Sequence, residues 1–274
     1  MINSGSGTDN RIQICESTGS TAVFDGNLEA KNTSTANTAI IRFNLRGTCT
    51  FNGNIDLGCT ASGSNTTGIF FSYSGYSGTS SQAAGKSISI DSIGFSKGNL
   101  HLGYFTQNSN SAVDLNLTGN TTLTFNTGTV FNGNVNCTAG NLYLNSSTFN
   151  GTFTGIKTGN SSNTSNGGNT FATTFTLTNS GAGNFLTGNT LPDTFGGDAN
   201  FTNSGTGYIQ LAQNVAGTVF NGNTIFNNTG SAVSYTHLRA HETVLDIVCR
   251  LLLEKKKKQQ HTSHTHLIKV TQTE

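Results

Sequence analysis

The side chains that could do chemistry in this chain are six histidines, thirteen carboxylates and five cysteines, and their spacing decides what they could do. His237 and His241 stand four apart, with His261, His264 and His266 close behind, which reads as a metal site on a helix face. Those five lie in residues 233–274, a stretch set aside below. His101 alternates outward between Leu100 and Leu102 with no ligand-type partner nearby, the pattern of an ordinary surface residue. Asp193 and Asp198 are the close carboxylate pair of the regular region and read as turn residues; the other carboxylates are scattered. Solenoid lyases and hydrolases need Asp, Arg or Lys gathered on one face. Gly196-Gly197-Asp198 is a fragment of a calcium-binding nonapeptide and no more. There is no phosphate-cradling glycine loop before a helix, no nucleophile elbow and no HExxH. Cys15, Cys49, Cys59 and Cys137 lack CxxC spacing; Cys137 reads as a small buried hydrophobe, and a Cys49–Cys59 bridge stays open. The chain is therefore expected not to be an enzyme, with no catalytic, cofactor-binding or metal residues and no cofactor.

Charge narrows the partners. Residues 1–232 carry seven Lys+Arg against nine Asp+Glu, a net of −2, although the whole chain is formally +1. A weakly charged surface rich in Asn, Thr, Ser and Gly is no nucleic-acid footprint. No apolar run approaches the ~20 residues that span a bilayer. No signal peptide opens the chain, and Met1 falls inside a repeat, so the native start is expected upstream.

The elements that must position these residues come from a repeat. Phe220-Asn221-Gly222-Asn223 recurs as Phe24-Asp25-Gly26-Asn27, Phe51-Asn52-Gly53-Asn54, Phe131-Asn132-Gly133-Asn134, Phe149-Asn150-Gly151-Thr152 and, degenerate, Phe195-Gly196-Gly197-Asp198. From each Phe every second residue is small or apolar (Phe51, Gly53, Ile55, Leu57; Phe131, Gly133, Val135, Cys137), the period of a strand with one buried face. A second strand follows Asn-Ser-Gly corners, as at Tyr208–Leu211, and Asn and Gly suit the positive φ of tight turns. Short strands with Asn/Gly corners in shared phase predict an all-β fold: a right-handed parallel β-helix, or β-solenoid, of about nine turns. Its core ladder is Phe24, Phe51, Phe131, Phe149, Phe195 and Phe220, with Asn and Thr ladders outside. An antiparallel sandwich is the competing fold, and the shared phase of six copies favours stacking. Ser62–Gly85, rich in Gly, Ser and Tyr, reads as a binding loop projecting from one turn or as a disordered insertion. Thr121–Thr124 and Thr173–Thr178 place threonines at two-residue spacing, out of register across turns.

At residue 233 the composition changes: no Gly follows Gly230, and seven of the 14 Lys+Arg lie beyond it. Val244–Lys258 would make a short amphipathic helix with a basic end. Val233–Thr243 and Val248–Glu254, however, resemble a translated sequencing-library adapter, with Val244 and Leu245 in the place of its variable index and Lys255–Lys258 fitting the run of A that follows it. The resemblance implies that 233–274 is an artefactual tail, and 1–232 the repeat domain, truncated at both ends.

The FNGN-type strand and N-[ST]-G corner of residues 1–232 resemble the Asn/Gly/Thr-rich arrays of very large bacterial secreted and surface proteins, the adhesin-like β-solenoids. That resemblance implies export to the cell surface or beyond, a stalk-like structural or adhesive role, and contact with glycans or other cells. Open solenoid ends would add self-association. A carbohydrate-active β-helix fragment and a functional-amyloid or ice-binding array are the alternatives.

Overall fold

In the computed structural model, residues 1–63, 66–73, 75–108 and 110–230 are described. The metal site and helix read into residues 233–274 fall outside them. Every named strand pairing among the described residues is parallel, and no helix occurs there. The chain winds through three faces per turn. One turn runs Val135–Ala139, then Asn141–Leu144, then Thr148–Phe149, before Phe153–Lys157 re-enters beside Val135–Ala139. The first face stacks ten strands and the third face nine. The second face stacks six, followed by a separate sheet of the three short strands Asn163–Thr164, Phe185–Leu186 and Ile209–Gln210. This is a parallel β-solenoid of about nine turns.

The repeat motif is a corner, not the strand the alternation suggested. Phe51 ends Thr48–Phe51, Asn52-Gly53-Asn54 turns, and Ile55–Cys59 begins the first face. The inward parity of Phe51, Gly53, Ile55 and Leu57 survives because the corner is tight enough to keep alternate residues turned to the core. Each position has its own task. The Phe packs inside. The second residue hydrogen-bonds its counterpart in the turn before, as Asn150 Nδ2 donates to the Asn132 amide oxygen (2.6 Å) and Asn52 Nδ2 to the Asp25 carboxylate (2.8 Å). The fourth accepts a backbone N–H of the next turn: Asn27 from Asn54 (3.0 Å), Asn54 from Ser87 (3.1 Å), Asn134 from Thr152 (3.0 Å) and Asp198 from Asn223 (2.8 Å). The glycine is required by space: a Cβ on Gly53 would strike the Gly26 carbonyl, and one on Gly151 the Gly133 carbonyl.

The same correction applies to the Asn-Ser-Gly corners. Gly181, Gly205 and, in its Asn-Thr-Gly form, Gly230 are not in the left-handed region; each lies against the backbone of the turn before it. Positive φ gathers instead between the second and third faces, where all six non-glycine cases among the described residues sit: Cys15, Asn44, Ser72, Tyr104, Ser146 and Ala212. Beside the Asn-Ser-Gly corners the asparagine ladder turns inward. Asn179 donates to Asn203 Oδ1 (3.2 Å) and Asn203 to Asn228 Oδ1 (3.1 Å), with Asn179 and Asn203 buried. Amide-to-amide pairing satisfies the Asn203 amide and Asn179 Nδ2, groups that burial would otherwise penalise by several kcal/mol, and leaves Asn179 Oδ1 without a partner.

Core and column are close to the expected ladder, with three differences. Register runs Phe24, Phe51, Gln82, Gln107, Phe131, Phe149, Phe171, Phe195, Phe220. Phe171 belongs to it, although its copy of the motif reads Phe-Ala-Thr and hid it. Gln82 and Gln107 replace Phe in two turns, fully buried. Gln82 Nε2 donates to Ser87 O (2.8 Å), Gln107 Nε2 to Ser111 O (3.0 Å), and Phe105 fills the gap by reaching across to Phe71 (5.3 Å) and Phe131 (6.1 Å). Phe24 and Phe220 are only partly buried.

Candidate functional surface

The carboxylate pair picked from the sequence separates. Asp198 is exposed and caps the next turn. Asp193 is buried: its Oδ1 accepts from Asn169 N (2.9 Å) and Nδ2 (2.8 Å), its Oδ2 from Thr187 Oγ1 (2.6 Å). Burial pushes its carboxyl above the usual range against the pull of those donors. It is a corner lock rather than a reactive acid.

Other carboxylates, scattered along the chain, are gathered by the winding. Outward on the first face, Glu29 pairs in register with Asp56, Asp56 with Ser89, Ser89 with Asp114, and Asp114 with Asn136. Ser89 Oγ donates to Asp56, and Asn136 Nδ2 to Asp114 (2.9 Å). Extra residues in Ile88–Phe95 shift the register and bring Asp91 to Lys31 (3.3 Å), which also holds Glu29 (2.6 Å). Glu29, then Asp91, raise the Lys31 ammonium; the Ile93 N–H (2.9 Å), with Lys31, lowers Asp91. Only the turn lengths, 27, 33 and 25 residues between Leu28, Ile55, Ile88 and Val113, could have revealed this line, and their irregularity concealed it. Farther along, the same face is uncharged, and part of the threonine array does align: Thr154 with Thr176, Thr178 with Thr202. A longer file that no run announced, Thr148, Thr170 and Thr194, stands on the third face.

The second face carries an outer aromatic layer. Its outward register runs Gln13, Arg42, Phe70, His101, Thr124, Tyr143. Phe70 points out of the core yet is only 3% exposed, because the following loop folds over it. Tyr73 meets Phe70 edge-on at 5.5 Å, the Arg42 guanidinium lies 5.3 Å from the Tyr73 ring, and Arg46 lies 5.0 Å from Tyr76. Most of Ser62–Gly85 is thus ordered: Thr67–Phe71 and Thr79–Gln82 are strands, which overturns the disordered insertion. The loop between them is held by Ser72 N to Asn44 Oδ1 (3.1 Å), Asn44 Nδ2 to Gly78 O (2.8 Å) and Tyr76 N to Tyr73 O (3.0 Å). Tyr73 stays 37% exposed. Arg42 Nε is buried with no hydrogen-bond partner, and its Nη1 is 3.8 Å from Glu16.

His101 is therefore no ordinary surface residue. It lies 6.1 Å from both Phe70 and Tyr73, and burial lowers its imidazole to about 4, so it is neutral at physiological pH. Asn126 Nδ2 is 3.3 Å from Nε2; the amide donates, leaving the ring proton on Nδ1.

Among the described residues no group of three or more His, Cys, Asp or Glu could hold a metal ion, and no helix is long and apolar enough to cross a membrane. The fold and its ladders define the class, a parallel β-solenoid with an ornamented second face. No family model, curated protein or solved structure matches the chain.

Proposed function

We propose that this chain is a non-enzymatic structural and adhesive segment of a larger exported bacterial protein, working at the cell surface or outside the cell and contacting glycans. One observation carries the reading: exposed Tyr73, backed by Arg42 and a neutral histidine and followed in the same loop by an Arg46–Tyr76 pair, stands on a solenoid whose remaining outer positions are mostly Asn and Thr. Aromatic rings flanked by hydrogen-bonding groups give a sugar both a flat apolar partner and polar ones. Solenoid ends supply a second mode of contact, end-to-end self-association.

The test is glycan-array binding by the full chain and by Tyr73→Ala. Binding that drops at least tenfold in the variant, with unchanged thermal midpoint, supports the assignment; binding unchanged by the variant removes the patch from the role. A second reading has its own observation. The Glu29–Asp56–Ser89–Asp114 line runs across turns spaced ~4.8 Å apart, near the ~5–9.5 Å separations of paired glycosidase carboxylates. Release of new sugar ends from acidic or neutral polysaccharides, abolished in Asp56→Asn, would favour an enzyme instead.

A further inference from the structure

The four cysteines among the described residues are all free thiols, yet the winding sets Cys15 against the strand that carries Cys49. Cys15 sits in the corner between the second and third faces with left-handed backbone, φ 57°. Its carbonyl accepts from Arg46 N (3.2 Å) and Gly47 N (3.0 Å) of the next turn, and its Sγ donates to Thr48 O (3.3 Å). A Cβ placed on Gly47 would stand 2.9 Å from Cys15 Cβ, so glycine there lets the two turns close on one another. Cys49, the residue after Thr48, is fully buried; the carbonyl that Cys15 Sγ reaches belongs to the peptide bond that carries Cys49, and the Cys15 thiol is among the groups that raise the Cys49 thiol. Cys59 and Cys137 have no thiol among the groups that act on them. The pairing left open from sequence, Cys49 with Cys59, is not the one the winding brings together.

We propose that Cys15 and Cys49 close into an intramolecular disulfide that staples two successive turns. The oxidant is a small-molecule disulfide. The Cys15 thiolate attacks one of its sulfurs, forming a mixed disulfide and expelling one thiolate. The Cys49 thiolate then attacks the Cys15 sulfur and expels the second. Two protein thiols have lost two protons and two electrons, and the reagent leaves as two thiols. Timing follows from burial. Desolvation, with the neighbouring Cys15, pushes the Cys49 thiol up to about 12, so once packed it holds almost no thiolate at neutral pH. Closure therefore takes place during folding, and the finished bond is shielded from reductants.

The experiment is to refold the full chain from denaturant in mixed oxidised and reduced glutathione, alkylate under denaturing conditions, and map by mass spectrometry. The expected result is a loss of about 2 Da before alkylation, two fewer alkylated thiols than the five in the chain, and a Cys15–Cys49 linked peptide. The oxidised protein should also melt several degrees above the reduced one, because the bond closes a loop of more than thirty residues. Cys59→Ser should keep the linked peptide and Cys15→Ser should lose it. Full alkylation of all five cysteines after oxidative refolding, or Cys49 linked to any other cysteine, overturns the proposal. The wild-type map decides even if Cys15→Ser fails to fold, and it does so whatever the rod binds.

Discussion

Phe171→Ala tests the aromatic column where it is most complete. Phe171 is 1% exposed and stacks between Phe149 and Phe195, both at 5.1 Å, with Phe175 at 4.4 Å and Phe153 at 5.5 Å. A phenylalanine removes roughly 200 Å² from water, which at about 25 cal/mol per Å² is worth ~5 kcal/mol. Alanine keeps its Cβ, and an extended reference chain overstates burial, so the expected loss is ~4 kcal/mol, inside the ~3–5 range of Phe→Ala cavities. The four surrounding rings belong to three turns held by parallel ladders, which cannot collapse into the hole without breaking backbone pairs. Phe220→Ala is the control: Phe220 is only partly buried and has two ring neighbours, Phe195 at 4.8 Å and Phe201 at 6.3 Å. It should cost about 1–2 kcal/mol. Equilibrium urea unfolding reads both, as midpoint and slope. Because turns stabilise only their neighbours, the Phe171 variant should also broaden its transition and lower the apparent m-value. A Phe171→Ala loss below about 1 kcal/mol, or one no larger than that of Phe220→Ala, would refute the stacking argument.

Gly151→Ala should destabilise the protein by about 1–3 kcal/mol because its Cβ meets the Gly133 carbonyl. Gly26→Ala, the same motif position with nothing within 4 Å, should stay within about 0.5 kcal/mol, and equal midpoints would show that conformation rather than space selects glycine there. Lys157 is buried, donates to Gly159 O (2.9 Å) and Gly183 O (3.1 Å), and is lowered from 10.5 by desolvation. A depressed ammonium adds stability above its unfolded value and loses it as pH falls through its folded one, so Lys157→Met should be the more stable at pH 7 and its advantage should shrink toward pH 10. A gap in urea midpoint that stays constant with pH would count against this. For His101, also depressed, stability is present above 6.5 and lost as pH falls through about 4; its ring resonances in NMR should therefore titrate near 4, and a midpoint near 6.5 would mean that the aromatic layer is open to water.

The fold was readable because a solenoid writes its geometry into the sequence as spacing. Six Phe in one phase are six rungs of one column, and parity carried the inward assignment through the FNGN corner. What parity could not show was that the corner exists: Asn52-Gly53-Asn54 alternates in burial like a strand while its backbone turns. The glycine's reason was hidden too, since close approach to Gly26 is a contact with another turn. Phe171 escaped because its corner, Ala172-Thr173-Thr174, lacks the motif, and Gln82 and Gln107 because a buried glutamine in a Phe column has no sequence signature. The first-face carboxylates needed the length of each turn to align them. His101 looked superficial because the Tyr73 loop that covers it comes from another turn.

Those misses cluster, and the clustering bears on function. The turns from Phe131 onward follow the local rules most closely, with Phe inside and, at every corner but that after Phe171, glycine against the turn before it. The departures concentrate between Thr67 and Ser111: the Tyr73–Tyr76 loop, two buried glutamines, the bulged Ile88–Phe95 strand with Asp91, and an open groove beside Ala84, Gly85, Asn108 and Ser111. Each departure costs stability that a regular turn would have kept, and natural sequences tolerate such costs where a site requires them. Phe105 reaching into the gap left by the glutamines is a repair of the core around this region, as expected if the surface came first and packing was adjusted to it. On the proposed reading the regular turns are a scaffold, and the turns between Thr67 and Ser111 are where a ligand is to be sought. Tyr73→Ala against a matched change on a regular turn, such as Tyr143→Ala on the same outward file, is the comparison that separates a site from a stripe.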